Sequence, residues 1–168
     1  LLASAKKDLS MCSFRLFDVQ KPKEEEVWST EVTYEDLENA VEDEFGAKYS
    51  KDWKRLLEAP FGLKGEYSIR KGVKVIGNSA FYGGRNLNSI DIPNSECVCL
   101  TSISIPNSVT TIGEYAFSGC DSLTSITIPS SVVNMNVNTF RGWNGDLHNE
   151  SKAFIYEHQV LFNKDKTT

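Results

Sequence analysis

Apolar and polar positions repeat along the middle of the chain. Residues 73–95, VKVIGNSAFYGGRNLNSIDIPNS, align without gaps on residues 109–131, VTTIGEYAFSGCDSLTSITIPSS. Ile76 meets Ile112, Gly77 meets Gly113, Ala80 meets Ala116 and Phe81 meets Phe117. Further on, Gly83 meets Gly119, Leu87 meets Leu123, Ile90 meets Ile126, Ile92 meets Ile128 and Pro93 meets Pro129. The offset is 36 residues, which is one 23-residue unit plus 13. The extra stretch, residues 96–108, is the back half of another unit, with Leu100, Ile103, Ile105 and Pro106 in the matching columns. A fourth unit starts at Val132 and decays: Met135 takes the Ile column, Phe140 and Gly142 stay in register, and the strand half is lost.

Each column has a physical reason. In L-x-x-I-x-I-P the isoleucines alternate with polar residues, the period of a strand with one buried face. Proline cannot donate to a ladder and stops the strand. Val109 and Ile112 point back into the core after a turn. Gly113 is expected to relieve strain where the chain bends. Ala116 and Phe117 are predicted in a short helical or 3₁₀ turn, with Phe filling the interior. No unit can bury its apolar face alone, so units must stack. The strands around Ile90 and Ile92, Ile103 and Ile105, and Ile126 and Ile128 are therefore expected side by side, parallel and in chain order. The second unit lacks its I-G-x-x-A-F half, so Phe81 and Phe117 should approach more closely than two full units would allow.

The run from Ile112 to Pro129, I-G-x-x-A-F-x-x-C-x-x-L-x-x-I-x-I-P, resembles the leucine-rich repeats of the BspA-like family, also described from Treponema surface antigens. The resemblance covers residue 73 to about 143. Residues 49–57, YSKDWKRLL, and residues 161–168 resemble that family's strand-turn modules, with Trp53 and Gln159 where a turn Gly is usual. The first hairpin is therefore expected to be long or distorted. The resemblance implies an α/β leucine-rich-repeat solenoid, β-dominated, with parallel strands, short helical or 3₁₀ turns, and a small N-terminal capping region with one helix. The expected organisation is an unassigned extension (1–32), a cap (33–72), the repeats (73–143) and a degenerate C-terminal repeat with its strand-turn module (144–168).

Outside the repeats, Thr33-x-x-Asp36 has the form of a capping box. Tyr34, Leu37, Val41 and Phe45 follow at helical spacing and Gly46 can end the helix, which predicts a helix over 34–45. A competing reading makes its last residues a strand leading into Tyr49. The chain starts at Leu1 with Ala3-Ser4-Ala5 close behind, a small-x-small pattern suited to processing. The run ending in Cys12 lacks the apolar stretch of a lipoprotein signal. Residues 161–168 read as the first strand of a hairpin whose return strand is missing. They predict a longer protein, or a C-terminal edge that is open or meets a second copy.

Charge refines this picture. The net charge of −5 argues against a nucleic-acid partner. Ten acids and no Lys or Arg lie between Glu24 and Glu44, and eight bases against three acids lie between Lys48 and Lys74. Mutual neutralisation of two neighbouring segments explains this better than two docking patches. No run is long and apolar enough to span a membrane.

Catalytic chemistry needs a constellation, and none is visible. His148 and His158 have no Cys, Asp or Glu at zinc-motif spacing and read as surface residues. Cys97-x-Cys99 looks like half a metal site, but Cys97 shares a column with Gly84, Cys120 and Trp143, where buried thiols in a ladder are the better reading. No cofactor is expected. The outward strand positions are Ser89, Asp91, Ser102, Ser104, Ser125 and Thr127. The resemblance implies that this face binds a protein or glycan ligand, as an adhesion-type, non-enzymatic module outside the cell or at its surface. Ser and Thr are also ordinary soluble strand residues, and the face carries no aromatic or Arg anchor. A spacer or cap of a larger surface protein is the alternative.

Overall fold

The computed structural model describes residues 28–60, 63–82, 100–136, 138–157 and 160–164. It opens on a five-residue helix, α1 (Tyr34–Glu38), held by the capping box. Asp36 N donates to Thr33 Oγ1 at 3.1 Å, and Thr33 N donates to Asp36 Oδ2 at 3.0 Å. The helix buries no residue and stops well short of Phe45. Val41–Glu42 is instead strand β1, antiparallel to β2 (Lys48–Tyr49), which favours the competing reading of this segment. Asp43 Oδ1 accepts from Phe45 N and Ala47 N, both at 2.9 Å, and Gly46 sits at φ +83°. An Asp that bonds the backbone just downstream competes with the helix and wins a turn.

β2 runs antiparallel into β3 (Arg55–Glu58), with a register shift between Lys48 and Tyr49. Trp53 adopts the left-handed conformation suited to the glycine it replaces, φ +58°. Such strain in a bulky residue needs compensation. The indole lies 5.2 Å from the Tyr49 ring and under the Arg70 guanidinium, 3.9 Å from the ring centroid.

From β3 the chain alternates between two rows of short strands. These are β4 (Gly65–Ser68), β5 (Val75–Ile76), β6 (Leu100–Ser104), β7 (Thr111–Ile112), β8 (Ser125–Ile128), β9 (Asn134–Met135) and β10 (Asp146–Asn149). The first row is a six-stranded sheet in the order β1-β2-β3-β5-β7-β9, parallel from β3 onward, with Leu56, Ile76, Ile112 and Met135 in one register column. In the second row β4 pairs parallel with β6, β8 pairs parallel with β10, and β6 packs alongside β8. The core joins the rows through Leu56, Tyr67, Ile76, Ile103, Ile112, Phe117, Leu123, Ile126 and Ile128.

Ile90 and Ile92 lie outside the described residues. The strand paired with β6, however, is β4, which the sequence reading put in the cap. Tyr67 lies opposite Ile103, and Ile69 N donates to Ser104 O at 3.1 Å. A tyrosine in the isoleucine column hid this strand. Phe81 and Phe117, 36 residues apart, stack with centroids 5.2 Å apart at 16°. That is close to one strand spacing of about 4.8 Å, as the missing half-unit implies. The stack continues to Phe140 at 5.6 Å and 10°.

Three expectations are corrected, while the segments 78–81, 114–119 and 138–142 are short hydrogen-bonded turns of the 3₁₀ type expected, with Tyr82 N donating to Ser79 O at 3.0 Å and Ser118 N to Tyr115 O at 3.1 Å. Other amides go sideways: Ser79 N donates to Glu114 O at 2.7 Å, Phe81 N to Ala116 O at 3.0 Å and Phe117 N to Thr139 O at 2.9 Å. Amides committed to neighbouring passes are lost to a helix. Gly113 is absent from the positive-φ residues; it is needed because a Cβ there would sit 2.5–2.8 Å from Asn78 and Gly77. The fourth unit keeps its strand half, since β10 aligns Leu147 with Ile126. Finally, β11 (Phe154–Glu157) pairs antiparallel with β12 (Val160–Asn163), so the run from Leu161 belongs to a return strand, with its partner upstream.

Candidate functional site: the outward face of the second row

Strand alternation builds this face. In β8, Ile126 and Ile128 are buried while Ser125 and Thr127 are exposed; in β6, Leu100 and Ile103 are buried while Ser102 and Ser104 are exposed. The same alternation exposes Glu66 and Ser68 on β4 and Asp146 and His148 on β10. Pairing puts Glu66 beside Ser102, Ser68 beside Ser104, Ser125 beside Asp146 and Thr127 beside His148. The second row thus carries two registered strand pairs, β4–β6 and β8–β10, with β6 packed near β8.

Four of the six sequence-predicted site residues, Ser102, Ser104, Ser125 and Thr127, are thus brought together on one exposed surface. Ser89 and Asp91 lie outside the described residues. Sequence reasoning missed Glu66, Ser68, Asp146 and His148. The signals were present: Tyr67 and Ile69 alternate like Ile103 and Ile105, and Leu147 alternates with polar neighbours.

The face is chemically mild. Its outward side chains are five small hydroxyls, Ser68, Ser102, Ser104, Ser125 and Thr127, with the carboxylates of Glu66 and Asp146 and the imidazole of His148. Such groups exchange hydrogen bonds with a polar partner without steric obstruction. Among the described residues no group of three His, Cys, Asp or Glu side chains could hold a metal ion. Cys120 is fully buried, its Sγ 3.8 Å from Phe81 O; Cys97, Cys99 and His158 lie outside the described residues.

Two polar assemblies hold the N-terminal end against the rows. Tyr67 Oη donates to Asp43 Oδ2 at 2.6 Å and therefore accepts from Tyr49 Oη at 2.5 Å. Burial first, then the Asp43 carboxylate and the Tyr49 hydroxyl, push the Tyr67 phenol far above its ordinary range, so it stays a donor. Arg55 grips Asp36 with two nitrogens, at 2.8 and 3.3 Å, and also reaches Glu31 O. Burial raises the Asp36 pKa, but the Thr33 backbone N–H and Arg55 outweigh it, and the net shift is downward. Together with Lys48–Glu58 at 2.9 Å, these contacts neutralise part of the acidic and basic segments. Among the described residues no helix is long and apolar enough to cross a membrane.

The repeat geometry is matched outside this chain. A leucine-rich repeat protein from Eubacterium ventriosum ATCC 27560 is similar in structure, with a TM-score of 0.56 and 26% identity, over 73% of this chain and 30% of that one. A leucine rich cell surface protein from Faecalibacterium prausnitzii A2-165 matches with a TM-score of 0.47 and 25% identity, over 62% of this chain and 24% of that one. The chain therefore spans less than a third of either protein. No curated protein matches. The family model of the BspA type leucine rich repeat region, in 6 copies, matches residues 65–96 and 94–154. That is more than half of the chain, and the chain belongs to this family.

Proposed function

We propose that this chain is a non-enzymatic interaction module of a bacterial surface or secreted protein, built as a short leucine-rich-repeat solenoid. Residues 33–64 serve as its N-terminal cap, and β4 opens the second row. The second row's outward face takes a macromolecular ligand, a protein or glycan outside the cell, through Ser102, Ser104, Ser125 and Thr127. The flanking Glu66, Ser68, Asp146 and His148 extend the contact. Ser89 and Asp91 belong to the same proposed set by their repeat columns.

One observation carries this reading: outward side chains stand in register across two parallel strand pairs, β4–β6 and β8–β10, that pack together. Their identity is unconstrained by the core, because the inward isoleucines already secure packing. Membership of the family supports an interaction role.

The test is capture by an immobilised panel of host matrix proteins and cell-wall glycans, comparing the native chain with a Ser104→Arg/Thr127→Arg variant. Selective capture that the variant abolishes supports the reading. Uniform silence, or capture indifferent to both arginines, overturns it in favour of a spacer. The spacer reading draws on the lack of an aromatic or Arg anchor among the described outward positions, since such anchors carry most interface energy.

A further inference from the structure

A second concavity lies away from the strand face, where the turns after β5, β7 and β9 stack. Its volume is about 650 Å³, and its lining includes Tyr82, Tyr115, Gly119, Asp121, Arg141 and Gly142. We propose that this cleft binds a neutral saccharide of about two rings.

The lining supplies what such a ligand needs. Tyr82 is 47% exposed although it is large and partly apolar. The Tyr115 ring sits below the Arg141 guanidinium, 5.9 Å from centroid to Cζ, and Arg141 Nη1 donates to Tyr115 Oη at 3.4 Å. That leaves Arg141 with further donors, because a guanidinium has five N–H groups. Asp121 supplies an acceptor of opposite charge. One cation and one anion balance, so the cleft has no electrostatic preference for a charged ligand. Rigid amphipathic tyrosine rings beside a donor and an acceptor suit the C–H faces and hydroxyl edges of a sugar ring.

The backbone supports a recess at this corner. Gly119 and Gly142 hold φ +68° and +77°, and a Cβ at Gly142 would meet nothing within 4 Å. Tyr115 is itself left-handed at φ +54°, in the column where the preceding turn has Ser79 at +55° and the next has Asn138. A bulky ring in that conformation is unfavourable, and it lines the cleft with Arg141 over it. The lining comes from three successive passes, two steps of about 4.8 Å each, comparable to the length of a disaccharide.

The assay is a ¹H–¹⁵N titration of the whole chain, following the Gly119 and Gly142 amides. The probes are maltose, cellobiose, lactose and diacetylchitobiose, with sialyllactose, a heparin disaccharide and a mixed hexapeptide pool as comparators. At least one neutral disaccharide should shift both amides saturably. Tyr82→Ser and Tyr115→Asn should each weaken it tenfold or more; both substitutes occur in the same columns of other turns, so the fold is retained. Asp121→Asn should weaken it several-fold. Ser104→Arg/Thr127→Arg, on the other face, should leave it unchanged, which separates this site from the strand-face reading. No shift with any neutral sugar, preference for a charged sugar or peptide, or affinity indifferent to both tyrosine replacements would overturn the proposal.

Discussion

Phe117→Ala tests the packing argument most directly. Phe117 is fully buried and stacks on Phe81 at 5.2 Å and on Phe140 at 5.6 Å. Truncating a buried Phe costs roughly 3–5 kcal/mol in lost transfer energy and residual cavity. Each aromatic pair adds about 0.5–1.5 kcal/mol beyond its area, in part already within that figure. The neighbouring passes are bonded through Phe81 N to Ala116 O and Phe117 N to Thr139 O, so the gap cannot easily collapse. The expected loss is therefore toward the upper end, about 4–5 kcal/mol, a large part of a typical domain's stability. Equilibrium urea unfolding by circular dichroism reads it. Phe117→Leu keeps a measurable folded baseline and should lose roughly 1–2 kcal/mol. Ser125→Ala, at an exposed strand position, should stay within about 0.5 kcal/mol. If Phe117→Ala and Ser125→Ala cost the same, the inward and outward faces have been confused and the ladder argument fails.

Gly113→Ala should destabilise by about 1–3 kcal/mol through overpacking against Asn78 and Gly77; a neutral urea midpoint would show that the passes can part without cost. Tyr67→Phe should lose about 1–3 kcal/mol, because it leaves buried Tyr49 Oη without its acceptor, and a Tyr49→Phe/Tyr67→Phe double variant should recover part of that loss. Asp36 has its folded pKa held below the ordinary 3.8. Its stabilisation is thus present above that value and is lost as pH falls through the lower folded one. Melting curves from pH 6 to pH 2 should fall more steeply for the native chain than for Asp36→Asn, and parallel curves would remove Asp36 from the acid response.

What was legible in the sequence followed from repetition. The columns of Ile112, Phe117, Leu123, Ile126 and Ile128 each recur at one offset, so β8, the inward place of Ile112 and the buried phenylalanine were legible, whereas the two-residue strands β5, β7 and β9 were too short to show a period. The close approach of Phe81 and Phe117 was also legible, as a consequence of counting residues per unit. Strands in which one column changed chemistry were missed. Tyr67 replaces an isoleucine in β4, and β10 has Leu147 as its one apolar residue among Asp146, His148 and Asn149. Val41 and Phe45 keep the apolar spacing of a helix, but Asp43 bonds the backbone of Phe45 and Ala47 and makes a turn there. Of the candidate face, the central hydroxyls were legible and the flanking carboxylates and histidine were not, for they ride on the two strands that went unrecognised.

The two surfaces are set by different columns of the same repeat. Tyr82 follows Phe81, Ser118 follows Phe117 and Arg141 follows Phe140, so the corner cleft takes its spacing from the aromatic stack beneath it. The strand face takes its spacing from Tyr67, Ile103, Ile126 and Leu147, whose inward anchoring leaves the intervening residues outward. The omitted half-unit brings the turn bearing Phe81 directly against the turn bearing Phe117. Had that half been present, another I-G-x-x-A-F turn would stand between them, and Tyr82 would be about one further strand spacing, near 4.8 Å, from Tyr115. The irregularity in the repeat thus matters chemically: it places two tyrosines on adjacent turns, where one small ligand can reach both.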